Sequence, residues 1–216
     1  GAGTFEFQSP VTVNGTLIPA DGSTLSATLT GSGEFDASSR TLTAGESNLS
    51  VQTTSLITDA ATTWQTGSNR ISWNGSGAGF AGTLKPQSGG TLQITAVLDN
   101  PITGNVVFDG GTLDLDASTD LSGTLDLASA DGTADIADGT TLTTGSFTIP
   151  SERTLSLSGT GHFNQAGTAT ITGTLIPAQG GRLSGLFTGS GDVEASFRTI
   201  HVGSNNLTIS MDSLTT

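Results

Sequence analysis

The sequence predicts an all-β chain wound into a stack of parallel coils. Three observations predict it: a long ungapped internal repeat, short runs in which apolar and polar residues alternate, and turn dipeptides between those runs. The repeat decides the architecture. Residues 1–58 recur as residues 159–216 at a constant offset of 158, with 27 of the 58 pairs identical. GTLIPADGSTL, from residue 15, returns as GTLIPAQGGRL, from residue 173, and many other pairs are conservative, such as Val13/Ile171, Glu34/Asp192 and Val51/Ile209. A fainter copy, GTLKPQSGGTL, starts at Gly82, and a weaker echo, GTLDLASADGT, starts at Gly123. Register kept over such a length without insertion or deletion suits a stack, where each coil must lie on the one before. If the offset of 67 to the Gly82 copy is three coils and 158 is seven, a coil has roughly 22 residues and the chain holds about nine or ten coils. Residues 1–158 then form one long unit and 159–216 the start of a second. Tandem antiparallel β-sandwiches, one per 158 residues, are the competing architecture.

The strands come from period-two alternation. Val11/Val13, Leu49/Val51, Ile71/Trp73, Leu113/Leu115, Leu125/Leu127 and Leu155/Leu157 are apolar pairs separated by one residue, which puts them on one face of a strand. Glycine or a β-branched residue interrupts every candidate helix. The turns come from Asn14-Gly15, Asp21-Gly22, Asp109-Gly110, Asp131-Gly132 and Asp138-Gly139, pairs that favour positive φ. Pro19, Pro86 and Pro177 hold equivalent places in the three GTLxP copies and mark bends where no ladder donor is needed. Inward positions are expected to stack like on like, threonine on threonine included, with Phe5/Phe163 and Leu29/Phe187 in the core.

Composition bounds the classes. Hydrophobic residues are only 33 % and glycines number 31, which fits a narrow core column better than a thick globule. The net charge of −13 would suit a disordered chain, but the alternation argues against that. There is no cysteine, hence no disulfide and no thiolate metal site. Six basic residues, dispersed along the chain, exclude a phosphate-binding surface for nucleic acid. No apolar run reaches the length of a transmembrane helix. The repeat starts and stops in mid-unit, which reads as a piece of a longer chain.

Little chemistry is expected. His162 and His201 face Thr4 and Thr43 in the sister copy, and no nucleophile, metalloprotease or phosphate-loop motif occurs. The chain is therefore expected not to be an enzyme, with no catalytic residue and no organic cofactor. The acidic run between Asp109 and Asp138 is the richest segment. Asp114 and Asp116 alternate with Leu113 and Leu115 and should point outward, and Asp126 should lie one coil away on a similar face. Carboxylates stacked this way offer hard oxygen ligands to calcium; equally, they form a solvated face that keeps a sheet from pairing with its neighbours. Trp64 and Trp73 have no sister residue. Exposed, they would stack on a carbohydrate ring; buried, which is the commoner fate of large aromatics, they would fill the core. Thr168, Thr170, Thr172 and Thr174 alternate as in an ice-binding ladder, but the first copy breaks the pattern with Pro10 and Asn14.

Segments such as LSLSGTGHFNQAGTATITGTL (residues 155–175) resemble the Gly-, Thr- and Asn-rich coils of filamentous-haemagglutinin-type adhesins and autotransporter passenger domains. The resemblance is one of composition and coil rhythm. It implies a right-handed parallel β-helix, export from a bacterium, and a cell-surface or extracellular place as a fibre, stalk or adhesin. No functional residues carry over. Expected partners are neighbouring repeats or identical subunits end to end, and surface glycans. The alternative function is a carbohydrate-binding or carbohydrate-cleaving β-helix of the tailspike kind.

Overall fold

A computed structural model describes residues 2–74, 79–95 and 102–216. These carry twenty-one strands and, among the described residues, no helix. Every pairing between named strands is parallel, and partners lie about 18–23 residues apart, as in Leu92↔Leu113 and Leu113↔Ala134. The chain is a β-solenoid of about ten turns, each of about 21 residues. Parallel pairing between successive turns rules out the antiparallel sandwiches.

Each turn has three faces, and each face contributes at least one inward row to the core. The first row climbs through Leu42, Trp64, Leu84, Val106 and Leu125. The second climbs through Val11, Leu29, Val51, Trp73, Ile94, Leu115 and Ile136. The third begins Leu17, Phe35, Leu56 and ends Leu142, Phe163, Leu183, Val202. Between the ends these positions are almost wholly buried. Burying one such side chain contributes about 1.5–3 kcal/mol, so the column sustains a chain with few apolar residues. The widest stretch holds the large aromatics. Trp64 packs on Phe35, Trp73 and Phe80 with ring centroids 6.2, 6.5 and 5.2 Å apart.

The internal repeat does not return to the same face. Phe5 pairs with Leu25 on the first face, whereas its sister Phe163 pairs with Leu142 and Leu183 on the third. Leu29 moves from the second face to the first as Phe187, and Phe35 from the third to the second as Val193. Seven turns up the first face from Phe5 end at Phe147, and Phe163 lies two faces further on. The offset of 158 is thus seven and two-thirds turns, and not the whole number expected. The offset of 67 likewise carries Leu17 on the third face to Leu84 on the first. Together with Leu175, on the second face, the three GTLxP copies occupy three different faces. A coil is correspondingly nearer 21 residues than 22. The physical reason is that the three faces are near-equivalent, so a segment fits equally well after a one-third rotation.

Two other expectations change. Phe5 is 44 % exposed while Phe163 is 1 % exposed, because Phe5 lies in the open first coil. Threonine ladders run mainly along the outside: Thr41, Thr63 and Thr83 are in register and only half-buried, since a hydroxyl in the dry column would need a partner.

Glycine serves the corners in two ways. Gly22, Gly110 and Gly139 have positive φ, as their turn pairs predict. Gly104 and Gly123 instead sit where corners stack backbone on backbone: a Cβ on Gly104 would overlap the Gly82 carbonyl oxygen, and one on Gly123 the Gly104 carbonyl oxygen. The prolines lie just past short strands, where Pro86 accepts from the Asp109 and Gly111 amides and Pro177 from Arg198 Nη1 at 3.0 Å.

Candidate functional site

The acidic run is divided among the three faces. Asp114 and Asp116 lie on Thr112–Leu115 and just beyond it, on the second face. Asp126 is on the first face, in register with Val107 and Thr148. It accepts the Ala128 amide at 2.7 Å and so closes its own turn. The expected grouping of Asp126 with Asp114 and Asp116 is therefore corrected: the chain has turned two faces between them. The carboxylate that does join Asp114 is Asp135, its register partner one coil on.

The second face is the most regular surface around these groups. Thr91, Thr112, Thr133 and Ser156 form one outward column, and Ser72, Gln93, Asp114, Asp135 and Ser158 form the next. Parallel pairing spaces successive members by about 4.8 Å. Arg70 Nη1 and Ser72 Oγ both donate to Gln93 Oε1 at 3.2 Å, and Gln93 Nε2 donates to Asp116 Oδ2 at 2.7 Å. Among the described residues, no side chain donates to Asp114. Partial burial raises its pKa, and the Asp116 and Asp135 carboxylates raise it further. Like charges in adjacent coils repel, so this face carries electrostatic tension and a field that attracts cations. Among the described residues, no group of three or more carboxylates or histidines converges as a metal centre.

The tryptophans are not at the surface. Trp64 is 0 % and Trp73 2 % exposed, so burial is the outcome for both and neither presents a ring to a carbohydrate. Trp64 Nε1 is buried and finds no hydrogen-bond partner among the described residues, which marks the residue as core filling tolerated despite its polar atom.

His162 meets a serine that the sequence did not bring near it. Its Nε2 lies 2.7 Å from Ser184 Oγ, which donates to Asn164 Oδ1 at 2.8 Å. Burial, then the nearby Arg182, lowers the His162 pKa. Ser184 has no exposure, however, and its sister Ser26 is equally buried. A hydroxyl sealed inside the ladder cannot reach a substrate carbonyl. The trio is a corner packing element. His201 lies exposed on the last long strand, His201–Thr215, as the register partner of Arg182.

Sequence reading missed Asp59. Its carboxylate takes the Ser39 amide at 2.8 Å, the Ser39 hydroxyl at 2.6 Å, the Ala61 amide at 3.0 Å and the Thr62 hydroxyl at 3.0 Å. The hydrogen bonds from Ser39 hold its pKa down to about 2. The latch holds Ser39 at a corner where its φ is +57°. The local cue was Asp59 preceding Thr62, an Asx-type turn; the coil offset to Ser39 was not visible. Comparison with protein-family models, curated proteins and solved structures returns no match, so the chain is placed by its own geometry as a three-faced β-solenoid.

Proposed function

We propose that this chain is a shaft segment of an exported bacterial surface fibre, stalk or adhesin, with no catalytic role of its own. The observation that carries the reading is the parallel ladder that runs unbroken along the first and second faces, around an apolar column. Each coil between the outermost two is tied to both neighbours by backbone hydrogen bonds, so load along the axis is spread over whole coils. At about 4.8 Å per coil, about ten coils make a rod of about 50 Å. The acidic balance, the polar faces and the absence of cysteine support a place outside the cell, and no helix among the described residues is long and apolar enough to cross a membrane. The resemblance of the coils to filamentous-haemagglutinin-type and autotransporter segments belongs to the same reading.

The test pairs mechanics with chemistry. Chains pulled end to end should unfold only at high force, in steps of one or a few coils. The same protein incubated with a panel of acidic and neutral polysaccharides should release no oligosaccharide, and antibody against it should label intact producing cells. Polysaccharide cleavage, or labelling of permeabilised cells alone, would overturn the proposal.

A further inference from the structure

The fold gathers basic side chains that the sequence scatters. Thr141, His162, Arg182 and His201 are register partners in four successive coils and form one outward column of the third face. Although the chain has 19 acidic residues, residues 153–191 contain no Asp or Glu. Among the described residues the one ion pair is Lys85–Asp109 at 3.2 Å, so the exposed Arg182 carries its charge without an anionic partner. Ser184 spends its proton on Asn164 Oδ1, so His162 Nε2 donates to Ser184, and His162 Nδ1 keeps the free lone pair. Beside the column, a groove of about 120 Å³ is lined by Thr140, Thr141, Thr160, His162 and Arg182, with Asp138 as its one acid. On the corner that leads into His201, Phe197 stands fully exposed at φ +57°.

The architecture does not require these residues. Their sisters in the first copy are Thr4, Thr24, Thr43 and Ser39, and the three threonines form the same kind of register column. Thr24 and Thr43 have a coil on either side, and Ser39 is bonded to the next coil through Asp59, yet none of the three is buried. These positions therefore stay at the surface of a complete stack. Phe197 holds a left-handed backbone, which costs any residue with a side chain, and gains no burial for it. A strained, exposed aromatic beside a cationic column has the character of a contact residue.

We propose that this strip binds an acidic glycan, a chain of sugars that carries carboxylate or sulfate groups. It gives the shaft proposed above a binding face that a shaft alone does not need. The Arg182 guanidinium takes the acid group in a two-pronged hydrogen bond. His162 Nδ1 accepts from a sugar hydroxyl, the threonine hydroxyls of the groove meet others, and Phe197 offers a flat apolar face to a sugar ring. The column's spacing of about 4.8 Å is close to the length of one sugar ring, so successive coils meet successive sugars. A nucleic acid, with a charge on every phosphate, finds too few cations here against a net charge of −13.

Titration calorimetry at low salt tests the strip with oligogalacturonate, dextran sulfate, neutral dextran and single-stranded DNA. The protein should bind oligogalacturonate or dextran sulfate, and the one it prefers tells carboxylate from sulfate. Arg182→Thr, which installs the sister residue, should weaken binding about tenfold. Phe197→Ser, likewise the sister residue, should weaken it about threefold. Circular dichroism should be unchanged in both. Arg153→Thr, on another corner, should bind as the wild type does. Neutral dextran or DNA bound as tightly as the acidic glycans would overturn the inference. So would unaltered binding by Arg182→Thr, or no binding of either acidic glycan. These outcomes bear on the strip alone, since the shaft reading stands or falls by the force and cell-labelling measurements.

Discussion

Asp114 and Phe197 show how single residues depart from what their surroundings prefer. Asp114 is half-buried beside Asp116 and Asp135. Its raised pKa means that its favourable contribution is fully present below the ordinary value of 3.8 and is lost as pH rises through the higher folded value. Asp114→Asn should therefore raise the melting temperature at pH 7, and the gain should vanish near pH 3.5; a gain independent of pH would show that charge is not the cause. Phe197 is fully exposed with φ of +57°, matching its sister Ser39 in backbone but without a latch. Left-handed backbone costs a side-chain-bearing residue about 1–2 kcal/mol, part of which glycine returns as unfolded-state entropy. Phe197→Gly should stabilise by about 0.5–1 kcal/mol in denaturant unfolding. At this scale the sequence was legible for what lies inside and less so for what lies opposite. Trp64 and Trp73 could be read as core from size and alternation. That Asp135, and not Asp126, faces Asp114 depends on coil length to the residue, and composition does not carry it.

At the level of elements, corners hold the turns in register. Asp59 ties the corner at Ser39 to the next coil through two bonds to Ser39 and others to its own turn. Because its pKa is depressed to about 2 from 3.8, the latch is fully formed above pH 3.8 and is lost as pH falls through about 2. Asp59→Asn should lower the melting temperature at pH 7, and the gap to wild type should close as pH approaches 2. Parallel pH curves for the two proteins would refute the assignment. Strands and turns were largely readable in the sequence, since period-two runs and Asp-Gly pairs are local. The stacked glycines at Gly82, Gly104 and Gly123 were not, because the carbonyl that excludes a Cβ belongs to the coil below.

For the whole molecule, the unit of tolerance is the coil. Removing residues 112–132 would join Gly111 to Thr133, the register partner of Thr112. It would leave all three inward rows continuous, with Val106 followed by Phe147 on the first face. That deletion should give a folded rod about 5 Å shorter. Removing only 112–121 should unfold or aggregate the protein, since half a coil shifts the inward rows off their faces. Circular dichroism with small-angle scattering distinguishes the two outcomes.

The sequence by itself determined that the chain is all-β, that its strands stack as coils, and that residues 1–58 and 159–216 share one architecture, because alternation, turn chemistry and self-similarity are written along the chain. Only the tertiary structure decided that the repeat advances by seven and two-thirds turns and that the acidic run is split among faces. Those outcomes depend on how many residues each corner consumes. Corners here range from direct bends inside a long strand, as between Leu25 and Leu29, to loops of several residues, and that variation accumulates around the axis where no local pattern records it.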